Sequence, residues 1–316
     1  MKKNILVTGG FGRVGSQLIP LLLAQGHHVR ILSRDDSPNS PFRNQVDVKL
    51  GDVAVYADVQ KALQGMDVVC HLAALFPPLF FDETKIIEVN VLGTFNILQA
   101  IKEQGHIERI VFASTDAAYA TGPSLDTYQD VLLEDQELWP INVYGITKVV
   151  DEVLIRKYSR LYQIPHVILR FFWSMVPAEM PRLMFEARNY MDLIVDEDKQ
   201  GLSPSDIVVP CLESGEGFLD HITDSRDIAR GVYLALINDK ALNQTFNIAA
   251  ADRLDYRIQS PKVAAALGRP LRFVRCRGLK NYEASIEKAH KLLGFTPQYS
   301  MDKMVEEALA SLEIKK

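Results

Sequence analysis

Leu6-Val7-Thr8-Gly9-Gly10-Phe11-Gly12-Arg13-Val14-Gly15 decides the fold of this chain. Apolar residues from Ile5 to Val7 lead into three glycines spaced G-x-x-G-x-x-G, and a helical pattern follows at Val14, Leu18, Ile19, Leu22 and Leu23. The pattern predicts a strand, a tight turn and a helix N-terminus. Glycines let the backbone turn sharply and approach a ligand closely. The free N–H groups and positive dipole end of such a helix face an anion, most naturally a pyrophosphate. A purely structural turn can use the same glycines, but the strand before and the helix after favour nucleotide binding.

Outward from this turn, short apolar runs alternate with helical patterns. Strands are expected at Asn4–Thr8, Val29–Ser33, Val46–Leu50, Val68–Leu72, Ile110–Ala113 and His166–Phe171. Helices are expected from the glycines to about Gln25, and at Ala57–Leu63, Glu83–Glu103 and Val143–Tyr162. Strand–helix alternation with nearly continuous apolar strands predicts an α/β fold, a doubly wound parallel sheet covered on both faces. After Phe172 prolines punctuate a less regular region, with a strand at Thr245–Ile248 and helices at Ser260–Leu267, Ile286–Leu293 and Met301–Leu312. The expected division is a dinucleotide-binding domain over 1–172 and a smaller, mostly substrate-binding domain over 173–316. Part of 217–250 is expected to return to the first domain.

The chain has 316 residues, 47% hydrophobic and 24% charged, with a formal net charge of -5. That charge argues against a nucleic-acid or anionic-membrane partner and leaves a small-molecule substrate. Three scattered cysteines (Cys70, Cys211, Cys276) suggest a reducing compartment rather than disulfides or zinc. Met1-Lys2-Lys3 runs straight into a strand, so no signal peptide is expected, and no apolar run is long enough to span a bilayer. A cytoplasmic protein is expected. His71 and His221 lack Cys, Asp or Glu partners at metal spacing, so no metal site is expected.

Tyr144 and Lys148 form a Y-x-x-x-K pair on one face of the Val143–Tyr162 helix. An ammonium beside a phenol favours the phenolate and lowers its pKa. Such a tyrosine can exchange a proton with a hydroxyl or carbonyl while hydride moves to or from a nicotinamide. Ser114 and Thr115 end the strand that starts at Ile110, and in a parallel sheet that end opens on the ligand crevice. Thr115 could then hydrogen-bond the reacting oxygen beside Tyr144.

Taken in order, these segments make the chain similar to the extended short-chain dehydrogenase/reductase family, of the epimerase/dehydratase type. The resemblance is carried by T-G-x-x-G-x-x-G at Thr8–Gly15, Gly51-Asp52-Val53, His71-Leu72-Ala73-Ala74 and Val89-Asn90-Val91-Leu92-Gly93-Thr94. Further matches are Ser114-Thr115-Asp116-Ala117-Ala118-Tyr119, Tyr144-Gly145-Ile146-Thr147-Lys148 with Glu152, His221-Ile222-Thr223-Asp224 and Phe246-Asn247-Ile248. It implies Thr115, Tyr144 and Lys148 as the catalytic triad. It implies cofactor contacts from Gly9, Phe11, Gly12, Arg13, Val14, Ser33, Arg34, Asp52, Val53, Leu72, Ala73, Ala74, Asn90, Ser114, Tyr144, Lys148 and Phe171. The helices Glu83–Glu103 and Val143–Tyr162 resemble the family's four-helix dimer interface, so a homodimer is a possible assembly.

The end of the second strand bears on the cofactor. Ser33 stands where the family's NAD-type carboxylate would sit, and Arg34 follows. A guanidinium suits a 2′-phosphate by charge and fork geometry, which favours NADP over NAD. Arg13 could assist, and Asp35 or Asp36 could instead reach the ribose of NAD.

Departures from the family narrow the substrate. Asp116 is followed by Ala117, so the second carboxylate of the dehydratases is absent. The epimerases' R-Y-F-N reads Arg170-Phe171-Phe172-Trp173, with Trp173 in the Asn slot, and no Arg precedes His221 in the late motif. Phe76, Phe80, Phe81, Trp139, Phe172 and Trp173 make the expected cleft aromatic, while Arg182 and Arg188 could bind an acidic group. The leading expectation is a nicotinamide-dependent oxidoreductase on a hydroxyl/ketone couple of a small or partly apolar substrate. The alternatives are a sugar or sugar-nucleotide epimerase with bound NAD, and a non-catalytic cofactor sensor.

Overall fold

In a computed structural model, which describes residues 2–76, 82–119 and 131–313, the opening glycines join strand β1 (Asn4–Thr8) to helix α1 (Arg13–Ala24). Six further strands follow. They are β2 (His28–Ser33), β3 (Asp47–Leu50), β4 (Val68–His71), β5 (Arg109–Thr115), β6 (His166–Phe171) and β7 (Gln244–Ile248). All seven run parallel, in the order β7-β6-β5-β4-β1-β2-β3. Winding reverses between β1 and β4, and the crevice beyond that switch point is where such sheets bind ligands. The glycine turn sits there.

Strand alternation feeds two cores. Ile5 and Val7 pack in one cluster with Leu18 and Leu22 of α1, while Leu6 joins Val59 and Ile97 on the other face. That second face is covered by α2 (Tyr56–Leu63), α4 (Gly93–Gln104) and α5 (Val143–Tyr162). The first is covered by α1 and by α6 (Ser225–Ile237), a helix the sequence reading did not place. Its signal was present: Asp224 caps it by accepting from Arg226 N at 2.8 Å, and Ile228, Ala229, Val232, Ala235 and Leu236 form its apolar stripe.

The single helix expected at Glu83–Glu103 is a correction. It is divided into α3 (Glu83–Ile87), a π turn at Glu88–Leu92 and α4. The extra residue of the π turn brings Asn90 inward, where its amide binds Leu75 N and O at 2.8 and 3.0 Å.

After β6 the chain builds a second lobe. Ile207–Cys211 pairs in parallel with Leu271–Arg275. Helices α7 (Tyr256–Leu267) and α9 (Met301–Glu313) flank a separate core that includes Met180, Phe185, Val209, Val263 and Met304. Between them α8 (Glu287–Leu293) returns to the sheet, where Ala289 and Leu293 join the core beside α6.

Candidate active site

The glycine turn forms a cradle. Gly9 has φ +71°, and a Cβ there would stand 2.8 Å from Ala73 N. A Cβ on Gly15 would come within 2.4 Å of the Gly9 carbonyl oxygen. These two glycines are demanded by the turn itself. Gly12 differs: it is exposed, and its Cβ would meet only the Gly9 oxygen, at 3.2 Å. No other protein atom lies within 4 Å of that Cβ, so the space beside the α1 N-terminus is open there. Gly12 caps α1 without a side-chain hydrogen bond, and the first turn holds no acidic residue. The arrangement fits an anion such as a pyrophosphate.

Thr115 is the last residue of β5, beside Phe171 by register. Its hydroxyl accepts from Ala117 N at 3.2 Å and donates to Asp116 Oδ1 at 3.0 Å. Tyr144, in the first turn of α5, meets the Thr115 hydroxyl. Asn142 sets the start of that helix by accepting from Gly145 N at 2.8 Å. Glycine at 145 is required by packing, since a Cβ would lie 2.3 Å from the Ala117 oxygen. One turn on, Lys148 is 2% exposed; its ammonium donates to Ala113 O at 2.8 Å and lies 4.6 Å from the centre of the Phe112 ring.

The expected lowering of the Tyr144 pKa by Lys148 is a second correction. Burial pushes the phenol above its ordinary value, and the carboxylates of Asp116 and Asp151 add to this against the Thr115 hydrogen bond. Lys148 is itself pulled down by burial, opposed by Asp151 and then Glu152.

Behind this pair lies a buried ionic network. Arg170 donates to both oxygens of Glu152, Nε at 2.9 Å and Nη2 at 2.8 Å, and to Tyr119 Oη at 2.7 Å. Ser114 Oγ donates to Glu152 at 2.6 Å, and Tyr119 donates to Asn247 Oδ1 at 2.7 Å. Burial alone would raise the Glu152 carboxyl, but Arg170, Ser114 and Arg156 outweigh it and hold it below the usual range. The network locks α5 to β5, β6 and β7, and so fixes where Tyr144 and Lys148 stand.

The profile of the NAD dependent epimerase/dehydratase family matches residues 5–249. The chain belongs to that family. An uncharacterized UDP-glucose epimerase, YtcB, of Bacillus subtilis (strain 168) is 29% identical over 323 residues, covering 94% of each protein. The 3-beta-hydroxysteroid dehydrogenase of Mycolicibacterium neoaurum is 32% identical over 164 residues, 48% of this chain and 42% of that one. Among solved structures, a short-chain dehydrogenase/reductase superfamily protein from Agrobacterium tumefaciens with bound NAD shares 29% identity at a TM-score of 0.84, covering 99% of this chain and 98% of that one. Membership makes the chain an enzyme of the NAD(P)-dependent dehydrogenase, reductase or epimerase kind.

Within this family frame the remaining expected residues separate. Phe11 stacks on Phe42, Val14 is partly buried beside the cradle, and Leu72, Ala73 and Ala74 run past Gly9. Asp52 Oδ1 accepts from Ala54 N at 3.0 Å, while Val53 packs under Gly93. Arg13 pairs with Glu179 of the second lobe at 2.6 Å and lies over the Phe76 ring. Ser114 and Asn90 face inward: Ser114 is taken by Glu152, and Asn90 by Leu75 and by Thr147 Oγ1 at 3.0 Å.

The cleft aromatics separate too. Phe172 is fully buried against Tyr119 and His221, which makes it core. Phe76 lies 6.1 Å from the Tyr144 ring, and Trp173 and Trp139 are 48% and 45% exposed. Trp173 holds φ +26°, a strained conformation for a bulky residue and one that asparagine tolerates better. Phe80 and Phe81 lie outside the described residues. Arg188 pairs with Glu186, and Arg182 is exposed on the short helix Met180–Met184. His71 binds Thr8 and Thr94 through its two ring nitrogens, and His221 Nε2 accepts from Ala284 N. Among the described residues no His, Cys, Asp and Glu group is placed to hold a metal, and no helix is long and apolar enough to cross a membrane.

Two acids escaped the sequence reading as a pair. Burial raises Asp116 to about 6, and Asp220 to about 7 with the Asp116 charge adding to it. Asp220 accepts from Tyr256 Oη at 3.4 Å. The signal for their meeting is tertiary, since the two are a hundred positions apart in different lobes.

Proposed function

We propose that the protein is an NADP-preferring oxidoreductase that reduces a ketone, or oxidises the matching alcohol, on a small and partly apolar substrate. The observation that carries this reading is the meeting of Thr115 and Tyr144 at the end of β5, with Lys148 one turn behind. A nicotinamide dinucleotide bound at the glycine turn supplies or takes up the hydride. Gly9, Phe11, Gly12 and Val14 cradle its pyrophosphate, Asp52 and Val53 border the adenine, and Leu72, Ala73, Ala74 and Phe171 wall the nicotinamide end. Lys148 holds the ribose. Thr115 orients the substrate oxygen, and Tyr144 passes it a proton.

Support for NADP is local. Asp36 is taken by Arg43, and Asp35 accepts from Ser37 N at 3.1 Å, while Arg34 is exposed. Asp36 is thus paired and Asp35 engaged through one oxygen, while Arg34 is free to meet a 2′-phosphate. Support for a partly apolar substrate comes from Phe76 beside Tyr144 and from the exposed Trp173 after β6. Asp116 and Asp220 near the same cleft disfavour a diphosphate. The lobe after Phe172, less its returning elements, forms the substrate side. We also propose a homodimer through α3, α4 and α5, whose outer faces expose Ile87, Phe95, Ile146 and Val153. Free, buried cysteines favour a reducing, cytoplasmic setting.

A second reading is 4-epimerisation of a UDP-sugar, favoured by the full-length similarity to the Bacillus subtilis protein. Mass identification of cofactor retained by the purified protein separates the two. An empty site that takes up NADPH supports the reductase; tightly held NAD(H) transfers the assignment to the epimerase.

A further inference from the structure

Tyr144, Lys148 and Asp151 stand at i, i+4 and i+7 of α5, on one face of the helix. The reaction proposed above uses the first two and leaves Asp151 without a task. Asp151 is completely buried, and neither of its oxygens has a hydrogen bond of good geometry with a described residue. A buried carboxylate in that state is expensive: burial raises its pKa, and the Lys148 charge and the Thr94 hydroxyl oppose this by favouring the anion.

The charged or titratable groups that face it are Lys148, Glu152 and Tyr144 from its own helix; Thr94 of α4 turns its hydroxyl toward it at less than ideal geometry. Glu152 is already committed to Arg170, Ser114 and Arg156. Lys148 rests on a carbonyl and a ring, neither of which carries a charge. Lys148 and Asp151 make no close ion pair, and their charges act on each other at longer range across the same helix face.

A hydrogen-bond chain points the same way. Ala73 N–H, which can only donate, donates to Thr8 Oγ1 at 3.2 Å. Thr8 Oγ1 lies 2.7 Å from His71 Nδ1, and His71 Nε2 lies 3.2 Å from Thr94 Oγ1. Burial holds His71 neutral, with its pKa near 3, so the ring carries one proton. The arrangement that uses every group has Thr8 donating to Nδ1, Nε2 donating to Thr94, and Thr94 donating onward to Asp151. The chain starts beneath the glycine turn and places a donor at its far end, which favours a carboxylate acceptor there.

We propose that Asp151 is the counter-charge that keeps Lys148 an ammonium, held as an anion by the Thr8–His71–Thr94 chain, and so acts as a positioning residue for the Tyr144–Lys148 pair. Its meaning for turnover rests on that pair being catalytic; the charge relation itself does not. Without the Asp151 charge, burial of Lys148 is opposed only by Glu152, and the lysine gives up its proton at lower pH.

The test is an NMR titration of the ligand-free protein labelled at lysine Cε, with the Lys148 signal assigned through Lys148→Met. In Asp151→Asn the Lys148 signal should titrate lower by about one pH unit or more, and Asp151→Glu should recover part of the shift. A folded Asp151→Asn whose Lys148 titrates as in the parent overturns the proposal. If Asp151→Asn does not fold, the carboxyl carbon of Asp151 in the parent decides. A carboxylate at neutral pH, with Lys148 still charged, supports the proposal, and a protonated acid there overturns it. Neither readout involves substrate, so failure here leaves the oxidoreductase reading standing.

Discussion

Arg170 and Glu152 meet across the β6–α5 contact through two hydrogen bonds, with Glu152 fully buried and Arg170 1% exposed. Neither group touches the cleft chemistry, yet the pair sets the height of α5 against the sheet. Removing one partner leaves the other charged and buried, which costs about 3–5 kcal/mol. Glu152→Ala should therefore lower stability in denaturant unfolding by that amount at neutral pH. Because Glu152 is held below the ordinary carboxylate range, its contribution is present above that range and is lost as pH falls. An exposed surface pair would give under about 1 kcal/mol, and a loss that small contradicts the assignment.

Asp220 predicts the opposite slope. Its folded pKa is raised to about 7, so the folded state binds its proton more tightly than the unfolded chain does. Stability then falls as pH rises from the ordinary aspartate range through about 7. Asp220→Asn should melt above the parent at pH values past 7, and the gap should close on acidification. Identical melting-temperature profiles for the two proteins count against a strained acid at this site.

The glycines of the turn should fail in different ways. Gly15→Val drives a side chain into the backbone of the turn and should compromise folding, read by circular dichroism. Gly12→Val meets only one backbone oxygen, so the protein should fold. It should nevertheless lose dinucleotide binding in calorimetry, because the added side chain fills the pyrophosphate position. Normal affinity in folded Gly12→Val removes the cradle from the account.

Cofactor preference turns on Arg34. Truncation to Ala should weaken NADPH binding by about 1.5 kcal/mol or more, roughly tenfold, and leave NADH nearly unchanged. The effect should shrink at high salt, since the guanidinium is exposed. Equal losses for both cofactors, or a parent that prefers NADH, would make Asp35 or Asp36 the ribose ligand.

Local patterns made much of this molecule readable. The glycine spacing and the apolar runs placed six of the seven parallel strands before Phe172 and the seventh at Thr245–Ile248, because each strand carries its own period and punctuation. The Tyr144–Lys148 spacing survives as one helix face. What escaped was set by tertiary contact. The π turn exists because Asn90 must reach Leu75 and Thr147, and nothing in Glu88–Leu92 announces this. Ser114 and Asn90 look like ligand residues in sequence, yet partners far along the chain turn them inward. Phe172 reads as a cleft aromatic until Tyr119 and His221 enclose it. The Tyr144 pKa direction depended on burial and on acids from other elements, which spacing along one helix does not reveal.

The central claim is that Tyr144 moves the proton that accompanies hydride transfer. The measurement is NADPH consumption over a panel of cyclic and aromatic ketones, made side by side on the parent and on Tyr144→Phe, with NADPH affinity determined for each. The account predicts turnover in the parent, a loss of roughly a hundredfold or more in Tyr144→Phe, and nearly equal affinity for the cofactor. Turnover by Tyr144→Phe at the parent's rate would contradict it.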